Sequence, residues 1–206
     1  MRLFRFIIAL LLLPVNAVLT VAFFKNFLYF KEIQHGEIVL LAGFISYLLL
    51  HFILYRPVFM HVMAHELTHA FWATLFGGKV KALNVSHEGG SVTMDKSNFL
   101  VVLAPYFFPF YTVLALRVYI IVDIKYVDYI MFLIGFTYSF HLALTLYSLK
   151  QKQTDIKEFG LLFSFTFIYL VNLLMLAGII ALGSKQYNML NFFNEALRLV
   201  DGLRVF

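Results

Sequence analysis

His65-Glu66-Leu67-Thr68-His69 sets two imidazoles four residues apart with a carboxylate beside the first. On a helix such a pair lies one ring above the other on a single face, so both can reach one ion. Glu66 then stands where it can take a proton from an attacking water and later deliver it to a leaving amine. The chemistry this points to is zinc-assisted hydrolysis, with His65 and His69 on the metal and Glu66 as the catalytic base. The chain has no cysteine, which excludes disulfides and thiolate sites and leaves histidine and carboxylates to hold any metal. Catalytic zinc usually takes three protein ligands and keeps one position open. An extended motif with a third histidine is absent, because Trp72 stands where it needs glycine.

The remaining candidates for a third ligand are His61, His87, Glu88, Asp95, His141, Asp155 and Glu158. His61 lies one turn before His65, and three stacked donors on one helix rarely converge on a tetrahedral centre, so it reads as a supporting or packing residue. Asp155 is the favoured metal ligand, since its loop falls on the same side as the segment after the motif helix. The same stretch, Asp155-Ile-Lys-Glu158 before an apolar run, also reads as a helix cap with its capping-box glutamate. Depth poses a difficulty, because His69 lies about 12 Å of helix rise before Gly77. Either the chain around Asp155 dips inward or the motif helix ends early. His141 reads equally as a residue orienting a ligand and as an interhelical hydrogen-bond partner. His51 and Asn172 read as interhelical partners, and Arg117 as a snorkelling side chain near a helix end.

The elements that must carry these residues are membrane helices. Of 206 residues, 62% are hydrophobic and 13% charged, against about 25% charged in an ordinary soluble domain. The net charge of +5 is spread in ones and twos, without a basic stripe, so no nucleic-acid partner is expected. A crossing needs about 20 apolar residues. Six stretches qualify: 4–24, 38–56, 58–76, 98–122, 126–149 and 159–182. The first reads as a retained helix rather than a signal peptide. A tight reversal at Arg56-Pro57 separates the second from the third. The expected fold is therefore an all-α polytopic membrane protein, one domain over 1–206, with about six transmembrane helices and a short β-hairpin after the HExxH helix. The hairpin is read at 79–95 from strand alternation around His87-Glu-Gly-Gly. Residues 186–204 read as an amphipathic surface helix. Six crossings put both termini on one side and leave the Lys and Arg residues nearly balanced between the faces, so orientation is not fixed.

HELTH inside a membrane helix, Phe-Gly-Gly-Lys-Val at 76–80 before a hairpin, Leu-Ala-Pro-Tyr-Phe-Phe-Pro at 103–109 and Gln-Thr-Asp at 153–155 together resemble the site-2 protease type of intramembrane zinc metalloprotease. The likeness spans residues 57–172 and is to a compact, divergent branch, since Thr154-Asp155-Ile156 lacks the Asn-Pro-x-x-Asp-Gly setting of many members. It implies Zn2+ on His65, His69 and an aspartate, Glu66 as base, a membrane-protein or membrane-peptide substrate, and a site nearer the cytoplasmic face. A multi-pass protein of a bacterial cytoplasmic membrane, with a possible regulatory membrane partner, is expected. A helical substrate must unwind to expose its amide, and a strand edge at 83–86 or 91–94, with Val85 and Ser91 as candidates, offers backbone partners. The hairpin can equally serve only to seal a cavity. Two other readings stand beside this one. One is a non-proteolytic scaffold with a structural metal site. The other is a CAAX-processing type of membrane zincin, in which Glu158 replaces Asp155.

Overall fold

A computed structural model describes residues 2–28, 31–53, 57–150 and 154–203. Nine α-helices and one hairpin are formed by these residues, in the order α1 (Arg2–Phe27), α2 (His35–Ile53), α3 (Val58–Leu75), β1 (Val80–Val85), β2 (Gly90–Met94), α4 (Phe99–Phe107), α5 (Phe110–Ile121), α6 (Val127–Lys150), α7 (Thr154–Glu158), α8 (Leu161–Gly183) and α9 (Met189–Leu203). Four of the helices are long and apolar enough to cross a bilayer: α1, α2, α6 and α8. The class is the all-α polytopic membrane protein expected, with the hairpin where the alternation placed it. Arg56, at the expected reversal, lies outside the described residues.

The stretch 98–122 is not one rod. It breaks into α4 and α5, which meet at 74°. Pro109 stands at the break, has no N–H to continue the helix, and pushes Phe108 into extended backbone (φ −102, ψ 102). If the two halves form one broken span, the crossings number five.

Helix polarity follows from contacts at successive levels. Arg5 donates to the Glu158 carbonyl at 3.5 Å, Asn16 to the Thr166 carbonyl at 3.0 Å, and Thr20 meets Tyr169 at 2.7 Å, so α1 and α8 run parallel. Gly36 lies beside Met131, Gly43 beside Phe132 and Phe136, and Tyr47 against Phe136 and Phe140, so α2 and α6 also run parallel. Gly36 meets Gly183, which places the start of α2 at the end of α8. One end of the bundle therefore holds the starts of α1 and α8 and the ends of α2 and α6. The start of α4 belongs to that same end, because Phe99 packs on Phe159 and Phe163.

The chain thus leaves that end after α2 and re-enters it at α4, and everything between must begin and finish on one side. The HExxH helix α3 is accordingly not a crossing, and it is not among the helices apolar enough to be one. The hairpin folds back along it. Gly78 at its base touches Asp95 and Lys96, and His87 at its tip packs on Phe59, 5.2 Å between ring centres. The difficulty over the depth of His69 disappears, because α3 and the loop bearing Asp155 share one end of the bundle. At the opposite end α9 buries Phe192 and Ala196 against Leu19, Ala22 and Phe23 of α1 and leaves Leu190 and Leu197 exposed.

Candidate metal centre

α3 turns one face towards α4 and α7. His65 and His69 point their Nε2 atoms at each other, 3.2 Å apart. Asp155, in the single turn of α7, brings Oδ2 to 3.6 Å from His65 Nε2 and 3.8 Å from His69 Nε2. Among the described residues these three form the one group of His, Asp or Glu side chains close enough to share a metal ion, all donor atoms within 4.8 Å of one another. Zinc bonds of about 2.0–2.1 Å in a tetrahedron imply ligand separations of about 3.3–3.4 Å, which the three spacings bracket. Two imidazoles and a carboxylate are also a donor set that zinc accepts. The residues present fit the ion.

The second nitrogen of His69 is engaged as a metal-binding histidine requires. Its Nδ1–H donates to the Val101 carbonyl at 2.9 Å, which fixes the ring and leaves Nε2 free to coordinate. Asn98 caps α4 by accepting from the Val101 N–H at 3.0 Å, so the carbonyl that holds His69 sits in a secured first turn. Burial opposes the charged form of Asp155. Hydrogen bonds and charge from His65 and His69 outweigh it, holding the carboxyl below the usual carboxylate range. The carboxylate faces the imidazoles and Tyr106, whose hydroxyl donates to Oδ2 at 3.0 Å. In this arrangement it is turned inward and does not cap a helix; α8 starts at Gly160 without a side-chain cap.

Glu66 is buried, 8% exposed, on the neighbouring face of α3. The hairpin covers it. A Cβ on Gly90 would fall 2.5 Å from Glu66 Cγ and 2.7 Å from Val62 Cγ1, so only glycine lets β2 lie this close. Gly90 pairs with Val85, and Ser91 with Asn84, which puts both substrate-binding candidates next to the strand residue that touches Glu66.

The other candidates lie elsewhere. His61 pairs with Ser148 at 2.8 Å, and His141 with Asn172 at 3.2 Å. Both also line a small cavity beside His65, with about 20 Å³ open to water. Asp95 accepts from the Lys79 N–H at 2.7 Å and closes the base of the hairpin. His87 and Glu88 are exposed in the hairpin turn. Glu158, the alternative to Asp155, is exposed and stands outside the group that converges on His65 and His69.

A helical membrane bundle with two motif histidines and an aspartate converging beside a buried glutamate defines a membrane protein of the metalloprotease class. Residues 38–182 match the model of the Peptidase M50B-like family, and the chain belongs to that family. No curated protein and no solved structure matches it.

Proposed function

We propose that the chain is a zinc-dependent endopeptidase that hydrolyses peptide bonds of membrane-protein substrates, in a bacterial cytoplasmic membrane. The observation that carries this is the meeting of His65 Nε2, His69 Nε2 and Asp155 Oδ2 beside the buried Glu66. These three residues hold the metal. Zinc bound there supplies Lewis acidity, polarising the scissile carbonyl and making water a stronger acid. Glu66 takes the proton of the attacking water on its carboxylate and returns it to the amine nitrogen as the peptide bond breaks. Val101 and Tyr106 keep the imidazole and carboxylate donors aimed inward.

The hairpin recruits the unwound substrate. A two-stranded sheet leaves an outer edge on each strand, and an extended peptide paired near Val85 and Ser91 lies within reach of Glu66, because Gly90 between them touches that side chain. The test is metal analysis of the purified protein, with membrane proteomes compared between wild-type and variant cells. Glu66→Gln retains about one zinc and slows cleavage about 100- to 10,000-fold, so uncut substrates accumulate. Asp155→Ala loses zinc. A wild-type protein without zinc, or a Glu66→Gln proteome identical to wild type, contradicts the proposal; the latter result favours the scaffold reading.

A further inference from the structure

Tyr106 is 1% exposed and sits in α4 between both kinds of candidate ligand. Its hydroxyl donates to Asp155 Oδ2, the oxygen that faces the two imidazoles, and its ring stands edge-on to His65 at 88°, 5.4 Å between centres. The tyrosine is itself held. Asn172 of α8 donates from Nδ2 to the Tyr106 carbonyl at 2.9 Å, in the last turn before α4 breaks. Asn172 Oδ1 accepts from His141 Nε2 at 3.2 Å, and the Asn172 carbonyl accepts from the Tyr138 hydroxyl at 2.8 Å. A line of hydrogen bonds thus runs from α6 through α8 and α4 to Asp155.

We infer that Tyr106 is the positioning residue of the metal centre, aiming the Asp155 carboxylate at the ion, and that Asn172 with His141 anchors it in the bundle. The inference rests on the zinc-peptidase reading and adds to it a residue that sets metal affinity. The physical need is local. α7 is five residues long, and a helix of that length is not stable by itself. Backbone alone therefore does not hold Asp155 in place. Among the described residues its side-chain partners, apart from Thr154 at 3.5 Å, are the imidazoles and Tyr106. A hydroxyl donating to a coordinating carboxylate fixes its direction, and losing such a partner weakens metal binding about 10- to 100-fold.

The experiment is chelator competition for zinc on the full-length protein in detergent micelles, with thermal melting of the zinc-free form measured alongside. Tyr106→Phe keeps the ring against His65 and removes the donor. Zinc affinity is expected to fall at least about 10-fold, with zinc-free melting unchanged. Tyr138→Phe removes a phenol hydroxyl from the same network, one that bonds the Asn172 carbonyl and not Asp155, and is expected to leave zinc affinity as in wild type. Wild-type affinity in Tyr106→Phe overturns the inference, and so does an equal loss in Tyr138→Phe, which would mark the effect as general loosening. Failure of the wild-type protein to bind zinc overturns the enzymatic reading as well, so the two failures are told apart.

Discussion

Gly90 lays the covering hairpin directly against Glu66. Because a Cβ at position 90 would meet Glu66 Cγ at 2.5 Å, Gly90→Ala must push either the carboxylate or the hairpin aside. The three atoms nearest that Cβ belong to Glu66 and Val62 and not to a ligand, so zinc content should stay near wild type while cleavage falls at least about 10-fold, misplacement of a catalytic group by an ångström being that damaging. Zinc analysis and accumulation of the substrates seen with Glu66→Gln would check this; full cleavage in Gly90→Ala would mean that Glu66 has room to spare. The histidine pair and its glutamate were legible because helical spacing alone places them. Asp155 was legible only as a candidate, since a cap and a ligand share one local pattern. Tyr106, Val101 and Gly90 were not, because each acts through a partner distant in sequence, which no local period encodes.

The helices themselves were readable from hydropathy to within a few residues, but which ones touch was not. α2 and α6 meet through two glycines. A Cβ on Gly43 would overlap the Phe132 carbonyl, and one on Gly135 the Leu40 carbonyl, so each helix backbone lies directly against the other. Small residues permit such approach in a bilayer, where packing replaces the hydrophobic drive between helices. Gly135→Leu should therefore separate the pair and destabilise the bundle by about 1–3 kcal/mol, the usual effect of overpacking. Thermal melting in micelles measures it, and an unchanged melting point would show that the contact is not tight. The break at Pro109 was the other element missed. Apolar length over 98–122 favours a single span, whereas the 74° bend depends on α4 packing on α3 and α8 while α5 packs on α6.

At the scale of the whole molecule, the number of crossings decides which compartment the site faces. With six, Arg2 and Arg5 oppose the lysines around the hairpin and the charges cancel. With α3 returning to its own side, Arg2 and Arg5 join Lys79, Lys81, Lys96, Lys150 and Lys157 at the site end. The other end has Lys25, Lys31, Lys125, Lys185 and Arg198, with Arg117 near it on α5. The surplus is small, and by the positive-inside rule it predicts that the site end faces the cytoplasm. The same count of crossings separates the ends of the described chain, with α1 starting at the site end and α9 packed at the opposite one through Lys25 and Glu195, 3.3 Å apart. The absence of native cysteine allows a clean measurement. A cysteine replacing the exposed Lys81 and a tag before α1 should both react with impermeant reagents only after the membrane is opened, while a tag after α9 reacts in intact cells. Tags before α1 and after α9 that respond alike would restore an even number of crossings and make α3 a spanning helix after all.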